Sequence, residues 1–170
     1  MKRAAVLVSA LALVVYAVGL SAQAKPNFAG KWTMQMDPNA APPAPPAGGG
    51  GGGGGRGGGR GGGAVSGMEV TITQDANTLT IDKMQGQNPV KLTFKLDGSE
   101  SKNTVQGRGG AVEQTSKAAW DGAKLTITTT ADMGRGPMTT KQTLSLEGGN
   151  LVAENFGADG TSMAKVTYKK

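Results

Sequence analysis

The stretch Val90-Lys91-Leu92-Thr93-Phe94-Lys95-Leu96-Asp97-Gly98 decides the fold. Val90, Leu92, Phe94 and Leu96 alternate with polar residues, so an extended chain presents one apolar face and one wet face. Asp97-Gly98 ends the run with a pair suited to a tight hairpin turn. The same grammar continues in both directions. Upstream, Met68, Val70 and Ile72 point inward on one strand, Asp75-Ala76-Asn77 turns the chain, and Leu79 and Ile81 mark the next. The first strand of all places Phe28, Gly30, Trp32, Met34 and Met36 on one face and Ala29, Lys31, Thr33 and Gln35 on the other. Downstream come a weaker strand at Lys102 to Gln106, one from Val112 to Trp120 ended by Asp121-Gly122, and one marked by Leu125 and Ile127. Met138, Thr140, Gln142, Leu144 and Leu146 line the eighth, Gly148-Gly149 turns, and Leu151 to Phe156 and Met163 to Tyr168 complete the set. No stretch has convincing helical periodicity. The pattern predicts an all-β fold, an antiparallel up-and-down β-barrel of about 8–10 strands. Closure is favoured because an open meander exposes two edges.

Residues 1 to 24 read as an export signal: Lys2 and Arg3, an apolar run from Ala4 to Leu20, then Ala22-Gln23-Ala24 before Lys25. Cleavage there implies a periplasmic or secreted protein with no stable membrane anchor; the alternative is an uncleaved anchor, since the apolar run is near the spanning minimum. Residues 25 to 170 then form a single domain with a modest positive surplus. Within it, Pro38 to Val65 is an insert between the first two strands, first proline- and alanine-rich, then glycine broken only by Arg56 and Arg60. Such a segment buries no apolar surface and is expected to be disordered. The chain has no cysteine and no histidine, so no disulfide supports the fold and the usual zinc ligands and catalytic base are missing. Scattered Asp and Glu show neither metal-loop spacing nor an acid–base pairing. The reading is therefore non-enzymatic, with no catalytic residue, metal or cofactor assigned.

Phe28-Ala29-Gly30-Lys31-Trp32 resembles the first strand of the calycins, the group that includes lipocalins and intracellular fatty-acid-binding proteins. Phe94 to Gly98, Lys117 to Gly122 and the ending Val166-Thr167-Tyr168-Lys169-Lys170 fall in the order and approximate spacing of a fatty-acid-binding protein's middle and last strands. The resemblance implies a barrel that holds a small apolar or amphipathic ligand. It departs in two places. The helical pair such proteins carry between their first two strands is replaced by the Pro/Gly insert. Their last-strand Arg-x-Tyr, which anchors a lipid carboxylate, reads Val166-Thr167-Tyr168 here; Lys165 has the opposite parity and is expected to point outward.

Every arginine beyond the export signal, Arg56, Arg60, Arg108 and Arg135, stands between two glycines. In an up-and-down barrel the connections after odd-numbered strands share one end: Pro38 to Val65, Met84 to Pro89, Gly107 to Ala111 and Ala131 to Pro137. That end receives all four arginines, and the other receives the acidic turns at Asp75, Asp97, Asp121 and Glu147. A basic mouth favours an anionic group. The plainer alternative is that glycine serves the turns and arginine solvates them. Gln74, Gln114, Ser116, Thr129, Thr140, Gln142 and Tyr168 fall on inward faces, where polar groups need partners that a ligand or water can supply. Trp32 and Trp120 are inward as core residues that can also stack on a ligand. Met34, Met36, Met68, Met138 and Met163 are read as core, or as the wall of a pliable pocket. The candidate ligand-binding set is Arg108, Arg135, Gln114, Gln142, Tyr168, Trp32 and Trp120. The expected protein is an exported monomer that binds a small amphipathic or apolar, possibly anionic, ligand; the alternative is a structural or interaction protein of the cell envelope that works through its insert. Nucleic acid is not an expected partner, because the Arg-Gly tract lacks aromatics.

Overall fold

The computed structural model describes residues 25–35, 63–107, 109–132, 134, 136–157 and 159–170. Ten strands follow one another: β1 (Gly30–Met34), β2 (Glu69–Gln74), β3 (Thr78–Gln85), β4 (Asn88–Lys95), β5 (Glu100–Gly107), β6 (Gly110–Asp121), β7 (Lys124–Asp132), β8 (Pro137–Glu147), β9 (Asn150–Phe156) and β10 (Ser162–Lys169). They form one antiparallel sheet in the order β4-β3-β2-β1-β10-β9-β8-β7-β6-β5. Every strand pairs with its neighbours in sequence except at the β4–β5 junction, and the first pairs with the last, with Met34 opposite Tyr168. The expected up-and-down barrel is what the chain forms. The export segment and most of the insert, residues 36–62, lie outside the described residues, as do Arg108 and Arg135.

Alternation of side chains drives the closure. Val70, Ile72, Leu79, Ile81, Val90, Leu92, Phe94, Leu125, Ile127, Leu144 and Leu151 are buried and join Phe28, Trp32 and Tyr168 in one core. Outward residues between them carry five exposed ion pairs among the described residues, such as Lys31–Glu69 at 3.5 Å and Lys102–Glu113 at 3.0 Å; pairs of this kind add little stability. The Asp97-Gly98 turn holds Gly98 at φ +84°, a conformation that a residue with a Cβ avoids. Asp75 closes its own turn by accepting from the N–H groups of Asn77 and Thr78 at 2.8 and 2.7 Å.

The two outermost strands, β4 and β5, meet without a backbone ladder. Side chains bridge them instead. Asn103 Oδ1 accepts from Thr93 N–H at 2.7 Å while its Nδ2 donates to Thr93 C=O at 3.0 Å. Ser101 Oγ accepts from Lys95 N–H at 2.9 Å, and Gln85, the last residue of β3 beside the β3–β4 turn, engages the N–H and C=O of Gln106 in the same manner, at 3.3 and 2.9 Å. Each carboxamide presents a donor beside an acceptor, as a peptide unit does, so it replaces one rung of the missing ladder. Asn103→Ala should orphan both Thr93 groups and cost about 1–3 kcal/mol, read as a lower urea midpoint; an unchanged midpoint would show the seam to be held by packing alone.

Candidate functional site

With this topology the connections after β1, β3, β5, β7 and β9 leave one end of the barrel, and those after β2, β4, β6 and β8 leave the other. The second end is shut by residues 25–29. Phe28 is fully buried and stacks on Trp120, with ring centroids 5.7 Å apart and planes 10° from parallel. Gln74 secures this segment by accepting from Phe28 N–H at 2.9 Å and donating to Pro26 C=O at 3.1 Å. Trp32, buried beside them, donates its indole N–H to Phe28 C=O at 2.8 Å. Both tryptophans therefore sit with the segment that shuts this end. Trp120 Nε1 is buried there with no partner among the described residues.

At the first end the interior becomes polar. Gln114 and Gln142 are buried, Ser116 and Thr129 share a hydrogen bond at 2.9 Å across β6 and β7, and Asn155 and Lys83 extend the set from β9 and β3. Into this region runs the chain that leads to β2. Ala64 and Val65 are 5% and 2% exposed, so the last three residues of the expected insert, 63 to 65, are packed inside the barrel instead. The reason is chemical: three inward side chains satisfy the backbone of a segment too short to form a strand. Gln142 Oε1 accepts from Val65 N–H and its Nε2 donates to Val65 C=O, both at 2.8 Å; Nε2 also donates to Asn155 Oδ1 at 2.9 Å. The Lys83 ammonium donates to Gly63 C=O at 3.1 Å, and to Ala64 C=O and Ser66 Oγ at 2.9 Å. Tyr168 donates its hydroxyl to Gly67 C=O at 3.2 Å.

Lys83 is the inward cation that the sequence reading missed. Its parity continues Leu79 and Ile81, but the sequence reading marks that strand by those two residues alone and begins the connection at Met84, whereas β3 runs to Gln85. Burial pushes its ammonium down to about 8 and pushes the Tyr168 phenol up to about 12. The two shifts act oppositely on stability. Between about pH 8 and 10.5 the unfolded chain keeps a proton on Lys83 that the folded chain releases, so the contribution from this residue grows with pH and is lost as pH falls through 8. The Tyr168 contribution is complete below pH 10 and is lost as pH climbs through 12. Urea midpoints measured from pH 7 to 12 should therefore rise to a maximum near pH 10 and then fall. Lys83→Met should flatten the rising arm, and a rise that persists in that variant would assign it elsewhere.

Of the other expected site residues, Arg108 and Arg135 lie outside the described residues, although the β5–β6 and β7–β8 connections that carry them do leave the end where Val65 is held. Lys165 is exposed and pairs with Glu147 at 3.1 Å, as its parity predicts. Acidic side chains are not confined to the far end: Asp132 accepts from Gly134 and Gly136 N–H, and Asp159 from Thr161, in connections of the near end. The methionine expectation is corrected. Met68, Met138 and Met163 are 57%, 57% and 65% exposed, and Met84 joins them at 55%. All four flank near-end connections, beyond the depth at which facing strands cover one another; Met34 alone of the expected set packs on the core, and Met36 lies outside the described residues. A hollow of about 460 Å³ on the outer face of β1 to β4 has the Lys31–Glu69 and Lys91–Asp82 pairs among its lining residues, with Lys83 beside them, so its outward charges are already matched. Among the described residues no group of three or more acidic side chains gathers as a metal site would require.

No protein-family model and no curated protein matches the chain. Twenty-six chains of solved structures do. One is a crystal structure of a single-residue variant of the fluorescent protein UnaG, with 20% identity and a TM-score of 0.45 over 60% of this chain and 70% of that one. The up-and-down barrel architecture rests on the strand order itself, a ten-strand antiparallel meander whose first and last strands pair.

Proposed function

We propose that this protein is a non-enzymatic binding protein that takes a small amphipathic ligand into the barrel from the end where Val65 is held. One observation carries the reading: polar groups face inward at that end only a short way above a continuous apolar core. An apolar body would replace core contacts near Leu144 and Ile127, and a polar head would meet Gln114, Gln142 and Lys83. Lys83 also answers the loss of the last-strand arginine. It places a cation inside the wall from β3, where it can pair with a carboxylate. The low local dielectric that depresses its proton affinity also strengthens such a pair.

The arginines of the β5–β6 and β7–β8 connections and of the insert fit this scheme as attractors of an anion toward the mouth. Export, to the periplasm or beyond, belongs to the same reading and rests on residues 1 to 24; protein isolated from its native host should begin at Lys25. Titration of that protein with a fluorescent fatty acid, followed by native mass spectrometry, should show saturable uptake of one ligand per chain. An empty barrel that binds nothing would refute the proposal.

A further inference from the structure

Resting on that reading of the barrel as a ligand site, we infer that the site recognises an acylated α-amino-acid unit, –CO–NH–CHR–CO–, and that Ala64–Val65 is its built-in competitor. The polar groups define the class of guest. Gln142 contacts both the N–H and the C=O of one residue, Val65, at 2.8 Å each. Only a guest with a donor and an acceptor placed as on a single amino acid satisfies both ends of that carboxamide. A plain carboxylate offers acceptors alone and leaves Gln142 Oε1 facing another oxygen. Lys83 adds the second requirement. Its ammonium bonds the two carbonyls that precede Val65 and would be left buried without partners if the segment departed. A guest must therefore bring an acyl carbonyl to it, as an N-acyl group does.

The segment itself is seated in the manner of a ligand. Its side chains are small, it is held by inward-facing groups of β3, β8 and β10, and it belongs to no strand. Gly63 marks how tightly it fits. A Cβ there would overlap the Gln142 and Asn155 side-chain ends, which can make room only by giving up the hydrogen bond between them at 2.9 Å or those to Val65 at 2.8 Å. An added methyl group should expel the segment and free the site. Because a guest binds only the fraction of molecules whose site is free, expulsion tightens apparent affinity by the reciprocal of that fraction.

The test compares dodecanoate, N-dodecanoyl-valine and acetyl-Ala-Val-Ser-amide as competitors of a fluorescent fatty acid on the full-length processed protein and on its Gly63→Ala, Val65→Ser and Gln142→Leu variants, each checked for β-structure by circular dichroism. N-dodecanoyl-valine should bind about tenfold or more tightly than dodecanoate, the gain of two net hydrogen bonds. Gly63→Ala and Val65→Ser should each tighten it about tenfold further, and Gln142→Leu should erase the preference. Binding of the acetylated peptide would identify a peptide as the source of the unit; binding of the acyl-valine alone would identify an N-acyl amino acid. Equal affinity for dodecanoate and N-dodecanoyl-valine, unchanged in Gln142→Leu, overturns the inference and leaves the ligand-binding reading intact. Failure of every probe to bind any variant overturns both.

Discussion

Trp32→Ala is expected to cost about 3–5 kcal/mol of folding stability, the range for emptying a large aromatic site. Trp32 is 1% exposed. Its removal leaves a void in the apolar core and strips Phe28 C=O of the indole N–H that satisfies it. It also removes the ring above which the Lys170 ammonium sits, 5.0 Å from the centroid. The void lies beneath residues 25–29, so those residues lose their floor. A barrel without disulfides has only about 5–15 kcal/mol to lose, so this single change spends a large share. Urea denaturation reads the loss as a lowered midpoint with a nearly unchanged slope. Trp32→Phe separates the causes: it keeps most of the volume, loses the N–H, and should cost less than half as much. Equal losses for the two variants would assign the effect to the hydrogen bond.

Gln142→Leu should have the second largest effect, and a local one. Leucine preserves the bulk but leaves Val65 N–H, Val65 C=O and Asn155 Oδ1 without their partner. Each buried group so orphaned costs about 1–3 kcal/mol. The chain can escape that cost by releasing Gly63–Ser66 to water, since Lys83 and Tyr168 alone then hold it. Hydrogen exchange should show this directly. The Val65 amide should lose at least about a hundredfold in protection, the equivalent of some 3 kcal/mol, while the amide of Ile127 on neighbouring β7 keeps its own. Undiminished protection at Val65 would mean that burial of Ala64 and Val65, not the carboxamide, anchors the segment.

The wall of the barrel was legible because alternation is a property of neighbouring residues. Val90, Leu92, Phe94 and Leu96 are buried as their spacing predicts, and Asp97-Gly98 turns where its chemistry demands. Parity says which side of the wall a residue faces, but not how far along the barrel axis it stands. Met68, Met138 and Met163 occupy near-end positions where no facing strand covers them, and nothing in their spacing marks that edge. Lys83 eluded the reading for a related reason: a charged residue in an inward register looks like the end of a strand, whereas here it is the point where core gives way to a polar chamber. Gln142 and Tyr168 were placed correctly as inward polar groups. Their partner was not foreseen, because Gly63, Ala64 and Val65 have the composition of the insert before them and are held only through contacts with residues distant in sequence, 19 to 77 positions away.

The carboxamide stitching between β4 and β5 has a consequence for behaviour in concentrated solution. A rung made by Asn103 ends in rotatable bonds, so it can be undone without disturbing either strand. Once parted, β4 and β5 each offer a row of unpaired peptide groups to another copy, the arrangement that seeds fibrils. Pro89, Lys91, Lys95 and Lys102 stand along those two borders; by interrupting the row and by mutual repulsion they discourage copies from zipping together there.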